Sequence, residues 1–221
     1  MTAPRPPPLD ATLPDDLAAL APKDQLRLAA FRLFSRLLDD APSVAFLKEL
    51  RESKLLEATA GLARQEASPA AAPLAALVEW LSAASDEALE GARRDFISLF
   101  VAAKHLPAPP WESVYVSPDR LVNQEPAREV LRAYAEAGVA FDGWRQLPSD
   151  HISLELAFAA TQLAELPRVP EARARLDHFT LKHLAVWVPR FCADLKSAAT
   201  SPLYQHVADA LVGLLPLRPE A

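Results

Sequence analysis

The chain has 221 residues, 51% hydrophobic and 24% charged, which is the composition of one globular domain with a sizeable core. With only 5 Gly against 21 Pro, it has few of the cheap turn sites that hairpins need, so an all-β fold is disfavoured. A net charge of −6 removes the basic face that nucleic acid requires, and the single cysteine, Cys192, cannot form an internal disulfide.

Residues 1–20 are proline-rich and poor in large apolar side chains; they read as a flexible arm, with a short helical turn expected at Asp15–Leu20. The N-terminus lacks a secretory h-region, and no apolar run approaches the ~20 residues that span a bilayer. A cytoplasmic chain without membrane insertion is expected.

The first helix follows Pro22, with Leu26, Ala30, Leu33, Phe34, Leu37 and Leu38 at helical spacing, and stops at Asp39–Pro42. Ser43 caps a second helix carrying Phe46, Leu47 and Leu50, and Leu55, Leu56 and Leu62 continue it or form a successor. Ala67–Pro73 is a break, with Pro73 suited to the first turn of a helix holding Leu74, Leu77, Val78 and Leu81. Ser85 or Asp86 caps the next, whose buried face is Leu89, Ala92, Phe96, Leu99 and Phe100. Pro107, Pro109 and Pro110 then force an extended backbone that presents Trp111 and Tyr115 on a stiff loop.

Pro126 opens a helix with Val130, Leu131 and Tyr134 on its buried face and Gly138 as its stop. Ser149 is the expected cap of the following helix, with Asp150 in its first turn. Apolar residues on more than one side (Ile152, Leu156, Ala159 and Leu163; Leu154 and Phe158) make that helix central. A helix through Leu176, Phe179 and Leu184 should break or kink near Pro189. Ser201–Pro202 starts a last helix with Leu203, Val207, Leu211 and Leu214. The sum is an all-α fold: residues 21–221 form a single-domain irregular helical bundle of roughly nine or ten helices.

Few residues suggest chemistry. His151 and Glu155 share a helix face but lack a third metal ligand, so no metal site is assigned. Ser149, Asp150 and His151 are adjacent, whereas a triad is assembled from separated positions. His178 and His183 are off-register and read as ordinary helix residues, Cys192 as a small core residue, and Arg93–Arg94 as a solvated face. No glycine-rich phosphate loop is present, and no cofactor is assigned. Trp111, Tyr115 and Trp144 either cover helix ends or line a groove for an apolar peptide.

Leu99–Val101, Leu106–Tyr115 (reading Leu-Pro-Ala-Pro-Pro-Trp-Glu-Ser-Val-Tyr) and Pro148–His151 followed by Leu154–Leu156 resemble the signature loop and the Pro-x-Asp-His hinge of the TorD/DmsD family of redox-enzyme maturation chaperones. His183–Phe191 and Ser201–Tyr204 are similar to that family's C-terminal helices. The family often has Glu where this chain has Leu147, and loop 102–105 lacks its Gly-Pro.

The resemblance implies a cytoplasmic, non-enzymatic chaperone. Its partners would be the twin-arginine signal peptide and the apo catalytic subunit of a molybdenum- or tungsten-pterin (molybdopterin-type) oxidoreductase, held until cofactor insertion is complete. It implies Asp150 and Glu112 as polar contacts, and Leu99, Phe100, Trp111 and Tyr115 as an apolar wall. His151 would order a hinge made of Leu147, Pro148 and Ser149, with a pH-tunable link to Asp150. The chain would be a monomer or a helix-swapped dimer. The alternatives are a helical adaptor for a mature partner, or a metal-dependent hydrolase using His151 and Glu155.

Overall fold

The computed structural model describes residues 2–3, 19–102, 105–141 and 148–216. Trp144, Leu147 and most of the Asp15–Leu20 turn lie outside them. The helices are α1 (Pro22–Leu37), α2 (Val44–Glu52), α3 (Lys54–Gln65), α4 (Ala71–Ala83), α5 (Asp86–Phe100), α6 (Glu112–Val116), α7 (Glu125–Glu136), α8 (Ile152–Glu165), α9 (Ala172–Phe179), α10 (Ala185–Ala198) and α11 (Pro202–Leu214). The wide turn Thr180–Leu184 joins α9 to α10, so that 172–198 is one helical run. Two short strands, β1 (Thr2–Ala3) and β2 (Ala140–Phe141), pair in parallel, an element absent from the sequence expectation.

The serine caps form as local chemistry dictates. Ser43 Oγ accepts from Phe46 N, Ser85 Oγ from Ala88 N and Ser201 Oγ from Leu203 N. Ser53 caps α3 and thereby separates it from α2. Gly138 takes φ +68° beyond the end of α7, where a side chain would be strained.

α8 lies at the centre, packed along α1 and against α9. Its Ile152, Leu156, Phe158, Ala159 and Leu163 are all buried, as a helix apolar on several sides must be. α11 packs against α4 and α10, and α3 bridges α1 and α4. Phe158, Phe179 and Tyr134 stack between α7, α8 and α9, with ring centroids 4.6 Å apart for Phe158–Phe179 and 4.8 Å for Tyr134–Phe158.

Four local expectations are corrected. Leu131 is 58% exposed, because the buried stripe of α7 runs through Pro126, Ala127, Val130 and Tyr134 instead. α7 begins at Glu125, one residue before Pro126. The cap of α8 is His151 rather than Ser149, and Asp150 precedes the helix. Pro189 does not break its helix: it lies inside α10, and the irregularity is the wide turn just before, where Ala185 N reaches back to Thr180 O.

Candidate functional site

The proline-rich segment and the turn before α8 are fastened to each other by backbone. Ile152 N donates to Pro110 O at 2.9 Å and Glu112 N donates to Asp150 O at 3.0 Å, leaving Trp111 and His151 opposed as an antiparallel pair. Their rings meet edge-on at 5.6 Å. Pro107, Pro109 and Pro110 stiffen the approach, so little chain entropy opposes this docking.

α6 is too short to cap itself; its N-cap residue, Trp111, offers no side-chain oxygen. Asp150 supplies one from a distance: Oδ2 accepts the Ser113 N–H at 2.8 Å, and the residue is 0% exposed. Ser113 Oγ in turn accepts Gln124 N at 3.2 Å, holding the start of α7. Ser149 is tied down on both sides: its Oγ donates to Ala127 O, and its carbonyl accepts the Tyr134 hydroxyl at 3.0 Å.

His151 caps α8 by accepting Ser153 N at Nδ1, 3.2 Å away, with Ser153 Oγ 2.7 Å from the same nitrogen. Burial drives its pKa down to about 3. The ring is therefore neutral across the physiological range, which corrects the expectation of a pH-tuned link to Asp150. The locally hydrogen-bonded helix-start histidine is what forms.

Beneath the clamp lies a buried polar chain. Glu112, 3% exposed, has Oε2 2.9 Å from His183 Nδ1. Glu155, 0% exposed, accepts the Trp187 indole N–H at 3.0 Å. Burial first, and then the negative charge of Glu112, hold the Glu155 carboxyl well above the usual carboxylate range. Tyr134 is pushed up by burial, then by Glu155, Asp150 and Glu112. The Cys192 thiol is likewise raised by burial, so no activated nucleophile results.

The seven candidate residues thus divide by position. Glu112 and Asp150 face inward and brace the loop, so their carboxylates are not at the surface; His151 is a buried cap and Leu99 a core side chain. Tyr115, expected on a loop, is in α6 and buried. It lies 5.5 Å from the Trp187 ring and 6.3 Å from Phe191, and donates its hydroxyl to Asp194 at 3.1 Å. Phe100 is half-buried 6.4 Å from Phe191, and Trp111 is half-buried at the head of α6. Val101, next to Phe100 in the chain, is 64% exposed, and Val116, next to Tyr115, is also exposed. Trp111 Nε1 is buried, and it donates to nothing among the described residues.

Sequence reasoning missed three participants. His183 and Trp187 sit on an apolar-looking run, and their partners are 71 and 32 residues away. Asp95, on α5, accepts Thr200 N, Thr200 Oγ1 and Ser201 N at 3.0, 3.0 and 2.8 Å and so caps the turn into α11. The one available signal was a carboxylate on the buried side of a helix.

Comparison with known proteins bears on the family and the fold. The family model described as nitrate reductase delta subunit matches residues 63–193. The chaperone protein TorD of Vibrio parahaemolyticus is 30% identical over 190 residues, covering 79% of this chain and 88% of the relative. The Tat proofreading chaperone DmsD of Salmonella typhi is 32% identical over 107 residues, 48% of this chain and 50% of DmsD. A crystal structure from Archaeoglobus fulgidus, of a protein assigned to redox enzyme maturation, superimposes with a TM-score of 0.50 at 20% identity, covering 85% of this chain and 91% of that one; it supports the fold. Members of the TorD/DmsD family are chaperones and not enzymes. By its sequence from the α3 region to α10 and by its helical architecture, the chain belongs to the TorD/DmsD family of redox-enzyme maturation chaperones.

Proposed function

We propose that this chaperone acts in the cytoplasm on the twin-arginine signal peptide and apo catalytic subunit of a molybdopterin-type oxidoreductase, and holds that client back from export until its cofactor is in place. The observation that carries the reading is Trp111: a half-buried ring on a proline-stiffened segment that two backbone hydrogen bonds fasten to the turn before α8. A half-buried aromatic ring on a stiff backbone suits the apolar part of an extended or helical peptide. Phe100, Val101 and Val116 extend the apolar contact.

Net charge −6 favours a basic leader. With Glu112 and Asp150 turned inward, Asp194 is the carboxylate we assign to the arginine pair, since it is half-exposed beside Tyr115. The DmsD relative's description as a Tat proofreading chaperone points the same way.

The test is a pull-down with the tagged chain from cells grown anaerobically, read by mass spectrometry. The expected prey is a pterin-enzyme catalytic subunit that retains its leader. Recovery of leaderless partners alone would replace this reading with that of an adaptor for mature proteins.

A further inference from the structure

Three buried carboxyl groups meet beneath the Trp111 segment: Glu112 at the start of α6, Asp150 in the turn before α8, and Glu155 in the first turn of α8. Asp150 and Glu155 each leave one buried oxygen, Oδ1 and Oε1, with no donor among the described residues. Asp150 Oδ2 takes the Ser113 N–H, and Glu112 Oε2 takes His183 Nδ1. Glu155 is only half-satisfied: Oε2 accepts from Trp187, while Oε1 is buried and accepts from no donor among the described residues. An ionised Glu155 would leave a charged oxygen orphaned against two other carboxylates. A protonated Glu155 turns that oxygen into an O–H donor, and the Glu112 carboxylate is the acceptor in reach.

We propose that a proton shared between Glu155 and Glu112 latches segment 110–116 onto α8, and that removal of this proton releases the segment while the bundle stays folded. The latch runs Trp187 N–H to Glu155 Oε2, Glu155 O–H to Glu112, and His183 Nδ1–H to Glu112 Oε2. It joins α10, α8, α6 and the wide turn 180–184 through side chains alone. That turn is the irregular piece of the helical run 172–198, and it carries His183. On losing the proton, Glu155 and Glu112 repel across a buried contact, and the mobile party is the five-residue α6 rather than the central α8.

The groups around the proton are named from every packed element. α6 presents Glu112, the preceding turn Asp150, α7 Tyr134, the wide turn His183 and α10 Trp187. The charges of α1 and α9 are directed elsewhere. Arg27 lies with Asp24 and Asp177, Arg36 over the Phe46 ring, Arg173 on Asp24 and Arg175 on Gln162. Arg32 answers only to its own burial. The latch does not depend on what the segment binds.

Amide hydrogen exchange of the full chain, corrected for intrinsic rates, reads the latch at Glu112, Ser113 and Ile152, whose N–H groups bond across the clamp. In the wild type, protection at these three amides falls about tenfold per pH unit from the pH at which Glu155 ionises in the open segment up to the higher pH at which it ionises in the closed one, as one proton requires. Amides in the middle of α1 and α8 keep theirs. Glu155→Gln, which donates in place of the carboxylic O–H and cannot ionise, holds the three amides closed at a level independent of pH. Glu112→Gln keeps an acceptor but removes the neighbouring charge, so Glu155 ionises more readily in the closed segment and the fall ends at lower pH. The proposal is overturned if wild-type protection at the clamp is flat from pH 6 to 10, if Glu155→Gln keeps the wild-type slope, or if Glu112→Gln leaves the upper end of the fall unmoved. The two variants are independent, so failure of one to fold leaves the other decisive.

Discussion

Asp150 Oδ2 holds the backbone N–H of Ser113 at 2.8 Å across 37 residues of chain, and in doing so gives α6 the cap that its own sequence lacks. The Asp150 carboxylate is thus an anchor of the signature loop. Asp150→Ala should cost about 2 kcal/mol, the loss of a charge-assisted cap plus a stranded N–H. Asp150→Asn, which keeps an oxygen acceptor, should cost less. Urea denaturation compares the two; equal losses would show that the hydrogen bond is not what the side chain contributes.

Asp95 caps the turn into α11 in the same way, with three donors from Thr200 and Ser201 on one carboxylate. Asp95→Ala is expected to lower stability by about 3 kcal/mol, more than removal of an ordinary exposed cap. A denaturation midpoint within experimental error of wild type would contradict the capping role.

Two glycines should respond oppositely to the same substitution. A Cβ on Gly213 would lie 2.5 Å from Ala70 N and 2.8 Å from the Pro69 carbonyl carbon, so α11 and the turn before α4 must part. Gly213→Ala should destabilise by about 1–3 kcal/mol. Gly61, in the middle of α3, has open space around its Cβ position, and Gly61→Ala should stabilise by about 0.5–1 kcal/mol. Thermal melts of both variants check the sign of each.

His151 predicts a pH dependence with a definite sign. Its pKa is about 3 in the fold against 6.5 for the free side chain, so the unfolded chain binds the extra proton between those values. Stability is then fully present above pH 6.5 and falls as pH drops toward 3, by up to about 1.4 kcal/mol per pH unit from this group. His151→Asn keeps a cap acceptor without the titration, so its stability should fall less steeply between pH 6.5 and 4.5. Parallel curves for the two proteins would contradict the neutral, buried cap.

What was legible in the chain was mostly what is local. A cap bonds within its own first turn, so Ser43, Ser85 and Ser201 announced three helix starts, and Gly138 announced a stop. The stripes of α1, α5 and α8 were legible for the same reason: periodicity is a property of one segment. The site was not local. Glu112 with His183, Glu155 with Trp187 and Asp150 with Ser113 each join residues 32–71 positions apart, and no spacing rule connects them. The same limit explains Asp150 itself. An acidic residue just before a helix looks like that helix's own first turn, yet its carboxylate was taken by a different helix. Leu131 failed because an apolar residue beside the stripe of a two-sided helix fits either face.

The central claim is that Trp111, on its fastened segment, receives the client's leader. The most direct measurement is calorimetric titration of the full chain with a synthetic peptide carrying an arginine pair followed by an apolar run, set against Trp111→Ala and Trp111→Phe. The account predicts saturable binding by wild type, weakened about tenfold or more in Trp111→Ala and less in Trp111→Phe, which keeps an aromatic ring at the position. Undiminished affinity in a folded Trp111→Ala protein would contradict it.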